Sequence, residues 1–335
     1  LYGYGFFAAT MLLVMGETQE KQFFPLCFAY LIVPLTLRVL GRLHLGNEKK
    51  KVFFFCISLG LHYLCNKEIT TIMSMINLEL LTIDVCAVAR RVAEYIRNER
   101  RNFNQNCVEH KQAHDYVSYV DKQSEEKIVA QLRQLLPDAG FITEEKSATY
   151  QGEDYCWVVD PLDGTTNFIH AYPPYAVSIA LISGKEILLG VVCDVSTASC
   201  YYAWKGGGAW MNGNHIHVSD RQLDDALLCL QLPYNNEAYN PVAKHLIDTF
   251  YGRVASIRMI GSAAIALCLV AQGCLDGYME KYIGQWDYMA GAIIVNEAGG
   301  RVSNYAGSTD FTEGNDVVAT NRLVHDDMLK AVAGV

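Results

Sequence analysis

The chain has no Cys-x-x-Cys pair, no surplus of positive charge, no internal repeat and no low-complexity linker. Its eleven cysteines are odd in number and scattered. That pattern suits reduced thiols in a cytoplasmic protein better than a disulfide framework or a zinc site. A formal net charge of −9 argues against nucleic acid as the main partner, because such binders need a basic face. It does not exclude a phosphorylated small molecule, since a bound divalent cation can supply local positive charge. Also missing is an apolar run both long and clean enough to span a bilayer, which takes about 20 residues. The nearest candidate, Phe23–Leu40, contains Pro25, Pro34 and Arg38, and no basic region precedes the first apolar run as a secretory signal would require. What remains is a globular composition, 51% apolar and 19% charged, with chain enough for one or two domains.

Two unequal parts are visible. Residues 1–74 hold the apolar runs Leu1–Val14, Phe23–Leu40 and Val52–Cys65, separated by charged patches such as Glu48-Lys49-Lys50-Lys51. Three readings of this extension stay open: upstream sequence outside the functional protein, which we favour, a membrane-associated extension, or an added packing element. Met73 and Met75 stand where globular patterning begins, so residues 75–335 are expected to form the functional domain. There, Leu81, Val85, Val88, Val92 and Ile96 share one helical face. Asp121 precedes a second helix that ends at Pro137. Strands are expected at Gly140–Thr143, Cys156–Val159, Ala176–Ile182, Leu188–Asp194, Tyr201–Trp204, Leu275–Glu280 and Val317–Thr320. Helices are expected at Ser262–Ala271, Asp287–Ala298 with Gly299-Gly300 as its stop, and Leu323–Val332. Strands and helices alternate, which implies a layered α/β fold.

The most informative stretch is Trp157-Val158-Val159-Asp160-Pro161-Leu162-Asp163-Gly164-Thr165-Thr166-Asn167-Phe168. A run of apolar β-formers delivers two aspartates into a Gly-Thr-Thr turn, placing hard oxygen ligands beside backbone N–H groups. Divalent cations favour the first and a phosphate the second. Glu144 and Glu145 follow another strand, and Asp287 opens a helix. Taken singly, Asp163-Gly164 is a common turn pair, Asp287 a helix cap and Glu144-Glu145 a solvated loop. Taken together, they place carboxylates at a sheet rim, where open α/β sheets bind ligands, and carboxylates meeting there need cations to neutralise them.

Asp160-Pro161-Leu162-Asp163-Gly164-Thr165-Thr166-Asn167-Phe168 resembles the first signature of the inositol monophosphatase family. Trp286-Asp287-Tyr288-Met289-Ala290-Gly291, running on to Val295-Asn296-Glu297-Ala298-Gly299-Gly300, resembles its second. The resemblance covers the chain from about Met75 onward. It implies a five-layered αβαβα sandwich of the sugar-phosphatase type, usually a homodimer and often lithium-sensitive. It also implies Mg²⁺-dependent hydrolysis of phosphate monoesters, with two or three ions and a metal-activated water. Carried over residue by residue, it makes Glu144, Asp160, Asp163, Asp287 and the Leu162 carbonyl metal ligands, with Glu145 in support. Glu144, Asp160 and Thr165 are the implied catalytic residues, Thr165 holding the attacking water. The N–H groups around Gly164, Thr165 and Thr166 would bind phosphate. Asp121 and Lys111 fall near an acidic and a basic position around the site. Asp287, Glu280 and the segment Gly261-Ser262-Ala263 would face the substrate's polyol. Thr143 stands where the family has Gly, and Met289 where it has Ala.

The leading expectation is inositol-1-phosphate hydrolysis. The alternatives are a 3'(2'),5'-bisphosphate nucleotidase or another sugar-phosphate phosphatase and, from another class, a membrane-anchored non-catalytic binding protein. His215 and His217 alternate along a strand with no carboxylate near them in sequence, which weighs against a zinc role. His170 is read as a solvent-facing loop residue, and Cys193 and Cys200 as packed thiols.

Overall fold

The computed structural model describes residues 76–103, 108–112, 115–233, 237–310 and 314–333. The apolar segment 1–74, with every expectation placed on it, lies outside the described residues. In chain order the elements are α1 (Leu78–Arg101), β1 (Val108–Gln112), β2 (Asp115–Ser118), α2 (Tyr119–Leu135), β3 (Gly140–Thr143) and β4 (Cys156–Asp163). Then come α3 (Thr165–Ile169), β5 (Ala176–Ser183), β6 (Glu186–Asp194), β7 (Cys200–Trp204), β8 (Ala209–Met211), β9 (Asn214–His215), β10 (Leu227–Leu230) and α4 (Asn240–Phe250). The chain continues through β11 (Ser256–Arg258), α5 (Ala263–Ala271), β12 (Gly277–Lys281), α6 (Gln285–Glu297), β13 (Arg301–Ser303), β14 (Asp316–Thr320) and α7 (His325–Val332).

Local chemistry accounts for most boundaries. The Asn77 side chain accepts from the Leu80 N–H at 3.0 Å and starts α1, whose buried face is Leu81, Val85, Val88, Val92 and Ile96, as the periodicity requires. α2 begins with a reciprocal cap: the Ser118 hydroxyl accepts from the Val120 N–H, and Asp121 accepts from the Ser118 N–H at 2.8 Å. Asp121 therefore lies inside the first helical turn and not ahead of it; Ser118 is the capping residue. Gly299, with φ +87, stops α6 in the left-handed conformation expected of it.

β3 to β9 form a seven-stranded sheet in sequence order, parallel between β3 and β4 and antiparallel beyond. The second sheet has five strands in the order β11-β10-β12-β14-β13. α1 and α2 pack on one face of the first sheet, and α5 and α6 lie between the sheets. α4 and α7 cover the outer face of the second, where Leu246, Phe250 and Met328 meet Leu228, Met279 and Val318. The result is a five-layered αβαβα sandwich. α5 and residues 288–295 of α6 are apolar on all sides because both sheets press on them. β6 carries Gly190 where they meet: a Cβ there would lie 2.5 Å from the Ala290 carbonyl of α6, so only glycine permits the approach. Trp157, Leu181, Leu189 and Tyr288 are fully buried in these layers, each such side chain contributing about 1.5–3 kcal/mol over exposure. Among the described residues no helix is long and apolar enough to cross a membrane.

Candidate active site

β4 runs further than its apolar stretch suggests and includes both aspartates. Its register against β5 breaks between Asp160, opposite Ser178, and Asp163, opposite Ala176. This irregularity turns Asp160, Leu162 and Asp163 into a cleft of about 500 Å³ that Glu144, Gly164, Thr165, Thr166, Gly261, Ser262, Ala263, Glu280 and Asp287 also line. Gly164 has φ +86, and a Cβ there would stand 3.1 Å from the Gly261 carbonyl. Glycine is required both for the turn and for the close approach of that loop. α3 follows at once, so the N–H groups of its first turn have no helical acceptor.

One carboxylate oxygen each from Asp160, Asp163 and Asp287 lie within 4.8 Å of one another. Each is fixed by other bonds. Asp160 Oδ1 accepts from the Leu162 N–H at 2.8 Å. Asp287, in the first turn of α6, accepts from the Gly284 N–H at 2.7 Å. Asp163 accepts from the Ser262 hydroxyl and from the Ala263 and Ala264 N–H groups at 3.2 and 3.0 Å. The segment expected to leave room for a polyol thus serves twice, since it lines the cleft and also holds Asp163 at the start of α5. No sequence spacing announces this contact, which joins residues 99 positions apart.

Burial, reinforced by the charges of Glu144, Asp287 and Asp163, holds Asp160 well above the usual carboxylate range. Asp287 is raised by burial and then by Glu144, Asp163 and Glu280. Burial pushes Asp163 up to about 7 against the lowering effect of its Ser262, Ala264 and Ala263 bonds. Glu280, which accepts from the Tyr278 hydroxyl, is pushed up to about 8, again chiefly by burial. The group offers only hard oxygen donors, and its members resist ionising together. Both properties fit a hard divalent cation, whose charge would relieve the repulsion.

Around this group, Thr165 Oγ1 lies 2.9 Å from Asp121 Oδ1 and 3.0 Å from the Leu162 carbonyl, with one proton to give. Asp121 also accepts from the Ser118 hydroxyl at 2.6 Å, and burial raises its pKa. Glu144 lines the cleft but is not one of the three carboxylates that meet within 4.8 Å. Glu145 is absent from the cleft lining; its backbone N–H donates to Glu125 at 2.8 Å. Lys111 lies on β1, and its side chain falls outside the described residues. His170 is exposed but also lines the cleft, so its loop faces the site as well as solvent. Tyr116, Gln231 and Tyr282 line it too; they come from β2 and from loops that periodicity does not mark.

The sequence model of the inositol monophosphatase family matches residues 77–334. The chain belongs to this family. An inositol-1-monophosphatase from Mesorhizobium japonicum is 38% identical over 221 residues, covering 65% of this chain and 83% of that protein. A protein named Nus factor SuhB from Pseudomonas aeruginosa is 38% identical over 250 residues, covering 73% and 92%. The crystal structure of the extragenic suppressor protein SuhB from Bartonella henselae matches with a TM-score of 0.71 at 30% identity, covering 76% of this chain and all of that one. Membership makes the chain a phosphatase of the inositol monophosphatase type, acting on a phosphorylated small molecule. Its departures from the family signature leave the acidic group intact. Thr143 is buried with its hydroxyl unpartnered, and Met289 is wholly buried between the sheets.

Proposed function

We propose that the chain is a Mg²⁺-dependent phosphate monoesterase whose substrate is a small phosphorylated polyol, inositol 1-phosphate first among them. The observation that supports this most is the convergence of Asp160, Asp163 and Asp287 in an open cleft beside a Gly-Thr-Thr turn. Asp160, Asp163, Asp287, the Leu162 carbonyl and Glu144 would hold the cations, two or three in number. Bound there, Mg²⁺ would supply Lewis acidity toward the phosphoryl oxygens and a lowered pKa for water.

The chain's own groups do the rest. The N–H groups of Gly164, Thr165 and Thr166 face the phosphoryl oxygens, the part that unpaired donors at a helix start take. Asp121 accepts the Thr165 proton, which leaves the Thr165 oxygen lone pairs free to receive a hydrogen bond from the attacking water. Glu144 holds the same water from the other side, fixing its line of approach to phosphorus. No side-chain nucleophile is needed, so no phosphoenzyme forms. Glu280, which also lines the cleft, takes a hydroxyl of the polyol. Residues 75–335 carry all of these parts, and we propose that they act without residues 1–74.

The test is a phosphate-release panel of inositol 1-phosphate, adenosine 3',5'-bisphosphate, histidinol phosphate and fructose 1,6-bisphosphate, with Mg²⁺ and with a chelator. Highest kcat/KM on inositol 1-phosphate, abolished by chelation, is expected. A preference for the bisphosphate nucleotide moves the chain to the nucleotidase branch. Undiminished turnover in chelator overturns the metal role.

A further inference from the structure

α2 sends two carboxylates, Asp121 and Glu125, inward from successive turns of one face, and they are 1% and 0% exposed. Asp121 is accounted for by Thr165. Glu125 does not reach the cleft. Its two oxygens accept from two backbone N–H groups, Glu145 at 2.8 Å and Ser147 at 2.8 Å, about 20 residues on in sequence. Those amides belong to the turn that begins at Glu144.

Two further backbone bonds meet that turn. The Glu144 N–H reaches the Val159 carbonyl at 3.2 Å, and the Lys146 N–H reaches the Thr143 carbonyl at only 3.4 Å. Lys146 has φ +60, a left-handed conformation that costs a non-glycine residue about 1 kcal/mol or more and persists only where the surroundings impose it. A carboxylate wholly out of water is expensive unless fully hydrogen-bonded. Glu125 offsets its burial with two charge-assisted bonds, and both are spent on the backbone that carries Glu144. An apolar residue at this position would pack without cost but could not grip the turn.

We propose that Glu125 is a positioning residue: it clamps the 144–147 turn so that Glu144 enters the cleft at the angle needed for cation and water. The proposal rests on the function proposed above and adds a residue to it. α2 becomes a strut that sets two catalytic groups from adjacent turns, Thr165 through Asp121 and Glu144 through Glu125.

The experiment compares the full chain with Glu125→Gln, which keeps shape but loses one of the two acceptor oxygens, and with Glu125→Asp, which keeps the carboxylate but falls one carbon short. Mg²⁺ affinity is measured by calorimetry, and kcat and KM on an aryl phosphate at saturating Mg²⁺. Both variants should bind Mg²⁺ about 10-fold more weakly, the loss typical of a residue that orients a ligand from behind. Their kcat should fall about 10-fold while KM changes little. Combined with Glu144→Gln, either variant should add little further loss, because its effect runs through Glu144. A lower melting temperature with unchanged Mg²⁺ affinity and kcat makes Glu125 purely structural and overturns the proposal. So does full additivity with Glu144→Gln. Should Glu125→Gln fail to fold, Glu125→Asp decides by the same readings. Failure of the wild type to bind Mg²⁺ sinks the proposed function and this inference with it, whereas wild-type binding unaltered in the variants sinks this inference alone.

Discussion

Replacing Asp163 by Asn in the cation-free protein should shift relative stability toward the variant as pH rises. Asp163 titrates at about 7 in the fold against an ordinary value of 3.8. An acid whose folded pKa is raised holds its proton more tightly when folded. Its contribution to stability is complete below 3.8 and is lost as pH rises through about 7. Each pH unit in that interval is worth about 1.4 kcal/mol, so between about pH 5 and pH 8 the wild type loses about 3 kcal/mol through this one group. The amide that replaces it cannot ionise; it forfeits one acceptor oxygen, a cost that is the same at every pH and drops out of the pH-dependent difference. For a domain of this size about 2 °C of melting temperature accompanies each kcal/mol. The melting temperature of Asp163→Asn minus that of the wild type should therefore rise by about 6 °C from about pH 5 to pH 8 in chelator. Buried His325, lowered from 6.5 to about 4, acts in the opposite sense: its contribution is present above 6.5 and lost as pH falls through about 4. It is common to both proteins and cancels in the difference. Adding Mg²⁺ should shift the difference back toward the wild type at about pH 8, because the cation needs the charge that the variant lacks. Thermal melts across this pH range, with and without Mg²⁺, supply the data. A difference that stays flat or shrinks with pH refutes the account of Asp163 as a charge held back by burial.

Asp160→Asn should lower kcat at least about 100-fold while the protein stays folded by circular dichroism, because one of the three converging carboxylates loses its charge; near wild-type turnover would remove Asp160 from the metal role. Glu280→Ala should raise KM for inositol 1-phosphate about 10-fold and for an aryl phosphate less than about 3-fold, since only the former offers hydroxyls to a polar group; equal effects would exclude Glu280 from recognition. Ser262→Ala should cost about 1 kcal/mol of stability as a lost helix cap and weaken Mg²⁺ binding about 10-fold as a lost donor to Asp163, read by melting and calorimetry. A chain beginning at Met75 should remain folded and keep wild-type kcat on inositol 1-phosphate, and an insoluble or inactive product would assign residues 1–74 a necessary part.

Legibility follows burial. The α1 face can be read because its apolar residues recur at the helical period, and β3, β5, β6 and β7 because each is a short, nearly continuous apolar run buried on both faces. The aspartates of β4 stand out because charge rarely ends a strand buried along its whole length. β1 and β2 escape such reading because Val108–Gln112 is mostly polar. β10, β11 and α4 escape it as well, their apolar residues facing an outer layer that no local pattern announces. Helix starts are misplaced where two residues cap reciprocally: the sequence shows Asp121 as an acidic boundary residue, and only geometry shows it inside the turn with Ser118. The Ser262 bond to Asp163 and the Glu125 bonds to the Glu144 turn are invisible in the sequence because they join segments far apart in the chain.

The three aspartates and Glu144 sit on backbone of very unequal permanence. α6, which presents Asp287, is walled in by both sheets, so its amides should exchange with deuterium only when the whole domain opens. β4 is interior to its sheet and should share that protection. The 146–150 segment beyond Glu144 is mostly exposed, and its amides, apart from that of Ser147 held by Glu125, should exchange orders of magnitude sooner. Breathing of the acidic site is thus confined to one wall, and traffic into and out of it can proceed without loosening the core.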